Sequence, residues 1–288
     1  MFGTAMTIST DRVLRYAAFT SDPAGGNPAG VVLDATGLDD AAQLAIAAEL
    51  GYSETAFLTA GPEHRSYTVR YFSPKAEVSF CGHATVAAAV ALAERIGPGA
   101  VVFRTQVGSV PVEVTGEAVL EATLTSVEPY VEEIAERDVA EALAALGWQR
   151  EELDPTLPPR IAYAGAKHLV LAAATRERLA DLAYDFDRLA GFMTERDLTT
   201  LQLVWRESAD TFHVRDPFPV GGVVEDPATG AAAAAFGAYL RELGEAKAPA
   251  VLTLHQGEDL GRPGRLRVEL REGEPGVRVS GTAVRIPG

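Results

Sequence analysis

The sequence holds a single cysteine, Cys81, in 288 residues. One thiol cannot close an internal disulfide, so nothing in the chain asks for an oxidising compartment. Basic residues are also scarce: 25 Lys and Arg stand against 40 Asp and Glu, a formal charge of −15. Such a surface repels phosphate backbones and anionic headgroups, which argues against nucleic acid and membrane as partners. No apolar run reaches the roughly 20 residues of a membrane span. The alanine-rich stretch Ala84–Ala93 is bounded by Glu94 and Arg95. Met1–Arg15 lacks the charged start and apolar core of a signal peptide, so the expected location is the cytoplasm. The patterns GxGxxG, GxxxxGK[ST], CxxC and HxxxH are missing, so no cofactor and no metal are expected.

What is present is a globular composition, 47% hydrophobic, in a chain long enough for one large domain or two ordinary ones. Strand-like runs occupy 13–19, 30–33, 55–59, 67–72, 101–105 and 110–114, the last two as a hairpin around Gly108. Between 21 and 28 lies a dense loop signal. A helix capped by Asp39 or Asp40 runs to Leu50 and stops at Gly51, and a second spans 83–96. The second half repeats these types. Helices are expected over 138–146, 176–183, 187–192 and 231–243. Strands are expected over 161–163, 168–172, 201–206, 211–215, 251–256, 265–270 and 277–284.

The two halves match at a shift of 146 residues. Val78 then falls on Val224, Cys81-Gly82-His83-Ala84 on Pro227-Ala228-Thr229-Gly230, and Ala87–Ala89 on Ala233–Ala235. Each half reads as strand, loop, small-residue turn and alanine-rich helix. A helix that is apolar all round is buried all round, and alanine lets a bent sheet wrap close to its axis. The expected class is α/β (α+β): two pseudo-symmetric lobes, each a strongly bent, barrel-like sheet around a central helix.

Each central helix opens on small residues, Gly82 and Ala84 in one half and Ala228 and Gly230 in the other. The first N–H groups of a helix lack internal partners and carry the positive end of its dipole. They suit a carboxylate or a developing enolate. Ordinary capped helix starts are the plainer reading, with Glu225 or Asp226 as a cap and Thr85 or Thr229 bonding the backbone. A thiol at such a start is also a candidate nucleophile or proton carrier. A symmetric two-thiol racemase is excluded, because the repeat sets Pro227 opposite Cys81.

Six segments in order resemble the PhzF-like (phenazine biosynthesis) family: Gly26–Ala29, Ser53–Phe57, Arg70–Pro74, Glu77–Thr85, Glu225–Gly230, and Gln256-Gly257 with Gly261–Pro263. FCGHAT followed by EDPATG is the specific part. The resemblance implies the diaminopimelate-epimerase-like fold, isomerase chemistry without metal or cofactor, and a homodimer. It assigns the moving proton to Glu54, with His83 and Asp226 in support. A carboxylate does this work near neutral pH when burial raises its affinity for the proton. Substrate contacts are expected at Asn27, Ser53, Gly82, Ala84, Thr85, Thr229, Gly230 and Ala231. Two departures remove hydroxyls: Ala231 stands where the family often has serine, and Gly264 closes a segment that elsewhere reads GRPS. The phenazine substrate is therefore not carried over with the fold.

The expectation is a PhzF-like isomerase that moves a proton on a small carboxylated metabolite in a cleft between lobes, with Cys81 structural. The lobes are set at residues 1–127, completed by 276–288, and 128–275. The alternative is a member of the same fold that binds a small ligand or partner with little catalysis.

Overall fold

The computed structural model describes residues 13–287. The reading of the N-terminus as lacking a signal peptide falls outside the described residues up to position 12. In chain order the elements are β1 (Leu14–Ala18), β2 (Asn27–Val32), α1 (Asp40–Leu50), β3 (Glu54–Ala60), β4 (Ser66–Phe72), β5 (Glu77–Val78), α2 (Gly82–Ile96), β6 (Gly99–Thr105), β7 (Gly108–Thr115) and β8 (Glu121–Thr125). There follow β9 (Tyr130–Glu133), α3 (Glu136–Leu146), β10 (Arg160–Tyr163), β11 (Lys167–Ala172), α4 (Arg176–Ala180), α5 (Phe186–Glu195), β12 (Thr200–Arg206) and β13 (Thr211–Pro217). The chain ends with β14 (Glu225–Asp226), α6 (Gly230–Glu242), β15 (Ala250–Gln256), β16 (Gly264–Leu270) and β17 (Arg278–Arg285). Among the described residues, those up to Thr125 together with those from Ser280 onward form one compact unit, and Ser126–Val279 form the other.

The first unit is a closed barrel of eight strands in the order β1-β2-β3-β4-β6-β7-β8-β17, with β17 returning to β1. Helix α2 contacts β1, β2, β3, β7 and β8. Every residue from His83 to Ala93 is buried. Mostly small side chains on all sides of this helix are what allow the barrel to close around it. Outside the barrel, α1 is capped by Asp39, which accepts from the Ala42 N–H, and ends at Gly51 in the left-handed region. It covers an apolar patch that includes Val32, Ile46, Phe57 and Phe72.

The second unit orders its strands β9-β10-β11-β12-β13-β15-β16. Alternation along β11 and β12 decides what each face buries. Leu169, Leu171, Leu201 and Leu203 join Leu143 and Phe192 in one apolar cluster. The alternate residues His168, Val170, Thr200 and Gln202 point to the other face. Phe212 of β13 meets Phe236 of α6 edge to face, with ring centroids 4.9 Å apart, and α6 also packs against β9, β10, β11, β12 and β16. A sheet covered on both faces explains why β12 reads as a nearly continuous apolar run.

Four short strands were not anticipated. β8 and β9 are brief and mixed in polarity, and β5 and β14 each have two residues. β5 and β14 occupy matching places, pairing back on β4 and β13 just before α2 and α6. β2 begins at Asn27, inside the expected loop, because β1 pairs with it as far as Ala18↔Asn27. α4 stops at Ala180, short of the expected Ala183, where Asp181 leaves helical geometry.

Candidate active site

Three segments of the first unit meet around His83. Asn27 opens β2, Ser53 immediately precedes Glu54 at the start of β3, and Cys81 is the N-cap of α2, with His83 its second residue. β2 and β3 are parallel neighbours, with Ala29 opposite Glu54, so their first residues lie at one end of the barrel. Gly26 makes the approach possible. Its φ is +53, and a Cβ there would stand 2.1 Å from the Ala18 carbonyl oxygen. Only glycine fits, and the next residue is Asn27.

The buried Asn27 side chain donates from Nδ2 to His83 Nδ1 at 3.1 Å. An amide nitrogen only donates, so with the amide oriented this way Nδ1 is the acceptor and a neutral His83 carries its proton on Nε2. That nitrogen faces Ser53 Oγ at 3.3 Å and Glu54 Oε2 at 3.4 Å. The His83 side chain is 6% exposed and the Glu54 side chain 17%. Glu54 is therefore the group of this pair that a small molecule can still reach.

Cys81 lies closer to this set than a purely structural residue needs to. Its Sγ is 3.6 Å from Glu54 Oε2, 3.3 Å from His83 Nδ1 and 3.8 Å from His83 Nε2. A point that near to both ring nitrogens sits over the face of the imidazole, not in line with either lone pair. The thiol proton is thus directed to Glu54. Glu54, Cys81 and His83 also form a cluster whose ligand atoms lie within 4.8 Å of one another. An ion placed along either ring lone pair would be well beyond the roughly 2.3 Å of a zinc–thiolate bond. As arranged, the cluster does not present three converging ligands.

The remaining expected contacts divide by burial. Gly82 and Ala231 are partly exposed, whereas Ala84 and Thr85 are fully buried. Thr85 is committed to the core: its hydroxyl donates to the Cys81 carbonyl at 2.6 Å and accepts from the Tyr71 hydroxyl at 2.6 Å. Neither N-cap residue, Cys81 for α2 or Thr229 for α6, caps its helix with its side chain. Of the outer helices, α1, α4 and α5 are capped that way, by Asp39, Thr175 and Asp185, whereas α3, which starts after Ala135, is not.

In the second unit, Asp226 is 8% exposed. Its Oδ2 accepts from the Thr229 hydroxyl at 2.5 Å. Gln256 locks the turn: Nε2 donates to the Asp226 carbonyl at 2.8 Å and to Thr229 Oγ1 at 3.0 Å, while Oε1 accepts from the Thr229 N–H at 2.9 Å. Gly257 follows because a Cβ there would lie 2.8 Å from the Pro227 carbonyl oxygen. Beside this turn Glu225 is paired with Arg215 at 2.6 Å, with side chains 1% and 9% exposed. Burial pushes the Glu225 carboxyl above its ordinary value, against the pull of Arg215. The Asn27–His83 pairing, the Gln256 clamp and the Arg215–Glu225 pair were not foreseen. Gln256-Gly257 was visible as a motif without a role, and Arg215 gave no local signal.

The family model for phenazine biosynthesis-like proteins matches residues 16–287. The Bacillus subtilis protein named uncharacterized isomerase YfhB is 30% identical, over 94% of this chain and 95% of its own length. The trans-2,3-dihydro-3-hydroxyanthranilate isomerase of Pseudomonas fluorescens is also 30% identical, over 85% of each chain. Among solved structures, a phenazine biosynthesis protein of the PhzF family from Bacillus anthracis superposes with a TM-score of 0.86 at 25% identity, over 96% of each chain. The chain belongs to the phenazine biosynthesis-like (PhzF) family, a family of isomerases.

Proposed function

We propose that the chain moves a proton on a small carboxylated metabolite without cofactor or metal, with Glu54 as the group that takes and returns it. The observation that carries this reading is the Glu54–His83 contact of 3.4 Å, in which the carboxylate is the more exposed partner. A base must reach substrate carbon while its own hydrogen bonds hold it in place. Ser53 and Asn27 orient His83, and His83 and Cys81 hold Glu54 Oε2. The uncapped N–H groups that open α2 then suit the oxygen on which negative charge develops. The reading gives Asp226, and the N–H groups of Thr229 and Gly230, an orienting role. Self-association into a homodimer belongs to the same reading and is checked by sedimentation of the purified chain.

The test is deuterium incorporation. Trans-2,3-dihydro-3-hydroxyanthranilate and a panel of carboxylated metabolites with an acidic C–H are incubated in deuterium oxide with the unmutated chain and with Glu54→Gln. Deuterium appearing at carbon only with the unmutated chain is the expected result. A compound that binds by calorimetry yet exchanges nothing, across the panel, would sink the reading and favour a binding protein on the same fold.

A further inference from the structure

Asp216 is a residue that neither the motifs nor the proposed reaction uses. It lies in β13, directly opposite Asp226 of β14, and is 0% exposed. Neither carboxyl oxygen has a hydrogen-bond partner. The polar side chains beside it are already committed. The single hydroxyl proton of Thr229 goes to Asp226 Oδ2. Both amide protons of Gln256 go to the Asp226 carbonyl and to Thr229 Oγ1. As arranged, neither of these two side chains has a proton left over for a carboxylate at position 216. Gln202, which the β12–β13 ladder sets opposite Asp216 one step beyond Leu203↔Arg215, is uncharged, and its amide atoms are also unpartnered. Arg215, the neighbouring cation, is spent on Glu225 and on the Ala180 carbonyl.

We propose that Asp216 is a positioning residue for Asp226: it stays protonated through neutral pH, so that the facing pair carries one negative charge, on Asp226, and the Asp226–Thr229–Gln256 hydrogen-bond set can close. Two carboxylates facing each other in a dry core repel strongly, and one of such a pair keeps its proton. Burial drives the Asp216 carboxyl well above the ordinary range; the neighbouring Thr229 and Gln256 side chains pull the other way, and the charges on Asp226 and Glu225 add to the rise. Other titratable groups nearby do not reverse this. Glu225 is paired with Arg215. Asp259 acts on Glu225, and Glu225 in turn on Tyr184. His168, on the same face of the sheet, is held neutral by burial down to about 3. Ionisation of Asp216 at alkaline pH would set a second charge against Asp226 and open the turn. That Asp226 serves catalysis rests on the isomerase reading above; the protonation of Asp216 does not.

The test uses the full chain with 13C-labelled aspartate side chains, followed by NMR across pH in the wild type, Asp216→Asn and Asp226→Asn. One carboxyl carbon is expected to titrate far above the ordinary aspartate value of about 3.9. It should vanish in Asp216→Asn and titrate at lower pH in Asp226→Asn. Absence of a high-titrating carbon, its survival in Asp216→Asn, or an unmoved midpoint in Asp226→Asn would each overturn the proposal. Melting temperature gives a second readout. A carboxyl whose folded-state proton affinity is raised loses stability as pH rises from the unfolded value toward the folded one. Asp216→Asn should therefore melt higher than the wild type at neutral pH, with the gap closing as pH falls toward about 4. A pH-independent gap overturns the proton-holding role. Where deuterium exchange is found, Asp216→Asn should retain it and lose its alkaline decline. No exchange alongside the expected titration would count against the isomerase reading alone.

Discussion

The two central helices open in the same way and are held in opposite ways. α2 starts at a set of neutral hydrogen bonds: Tyr71 to Thr85, Thr85 to the Cys81 carbonyl, and Asn27 to His83. α6 starts beside a cluster of ionisable groups: the Arg215–Glu225 pair, Asp226, and the buried Asp216. Both N-cap side chains leave the first N–H groups uncapped. The difference is in what surrounds them. At α2 the one carboxylate, Glu54, is the partly exposed member of its set. At α6 the carboxylates are buried, with Glu225 held by Arg215 and Asp226 by Thr229. The first arrangement suits moving a proton, and the second suits holding a fixed charge. The two halves of the internal repeat thus share a scaffold and differ in where their carboxylates stand.

The sharpest way to break that division is to remove each carboxylate in turn. Glu54→Gln should lower the rate of deuterium exchange by about 10²–10⁴-fold, the usual worth of a general base. Asp226→Asn should cost far less in kcat and show mainly in KM. Equal losses in kcat would make the two helix starts equivalent and end the comparison.

The next effect is on stability and belongs to the second unit. Arg215→Met leaves Glu225 buried without its partner, which costs about 3–5 kcal/mol in such settings. Denaturant unfolding at neutral pH reads this directly. Because burial raises the Glu225 carboxyl further once Arg215 is gone, protonation should recover part of the loss as pH falls. A loss that stays constant across pH would mean that packing, not charge, braces the α6 start. The matching change in the first unit is smaller. Thr85→Val removes two buried hydrogen bonds and leaves the Tyr71 hydroxyl unpartnered, for about 1–3 kcal/mol. Its unfolding should show no comparable pH recovery, since no carboxylate there depends on it.

The sequence made some of this plain and not the rest, for reasons that lie in range of interaction. The alanine runs of α2 and α6 announce burial on all sides, because no polar stripe interrupts them. Asp39 and Gly51 mark the ends of α1 through purely local chemistry. β8 and β9 are short and mixed in polarity, so no periodicity betrays them. The segments that meet at His83 each stand out as motifs, but which atoms meet depends on strand order. Asp216 is the clearest loss. In the sequence the strand pattern ends at Arg215, since aspartate and proline are poor strand residues. The strand in fact runs on to Pro217, and pairing with β14 is what buries the carboxyl.

The smallest expected effect decides whether proton work at α2 is shared. Cys81 is the N-cap residue of α2, with Sγ over the ring of His83 and 3.6 Å from Glu54 Oε2. That geometry holds the carboxylate, but it does not form an in-line thiol–imidazole pair. A serine at this position keeps a hydroxyl donor facing Glu54, which a small shift of the flexible carboxylate brings within reach. Cys81→Ser should therefore keep deuterium exchange within about threefold of the wild type, a fraction of the about 1.4 kcal/mol that a tenfold change represents. If the thiol itself carried the proton, the loss would be about 10²-fold or more. The rate would then follow the ionisation of a thiol rather than of a carboxylate, and exchange in Glu54→Gln would persist. The two variants measured side by side assign the proton to one atom or the other.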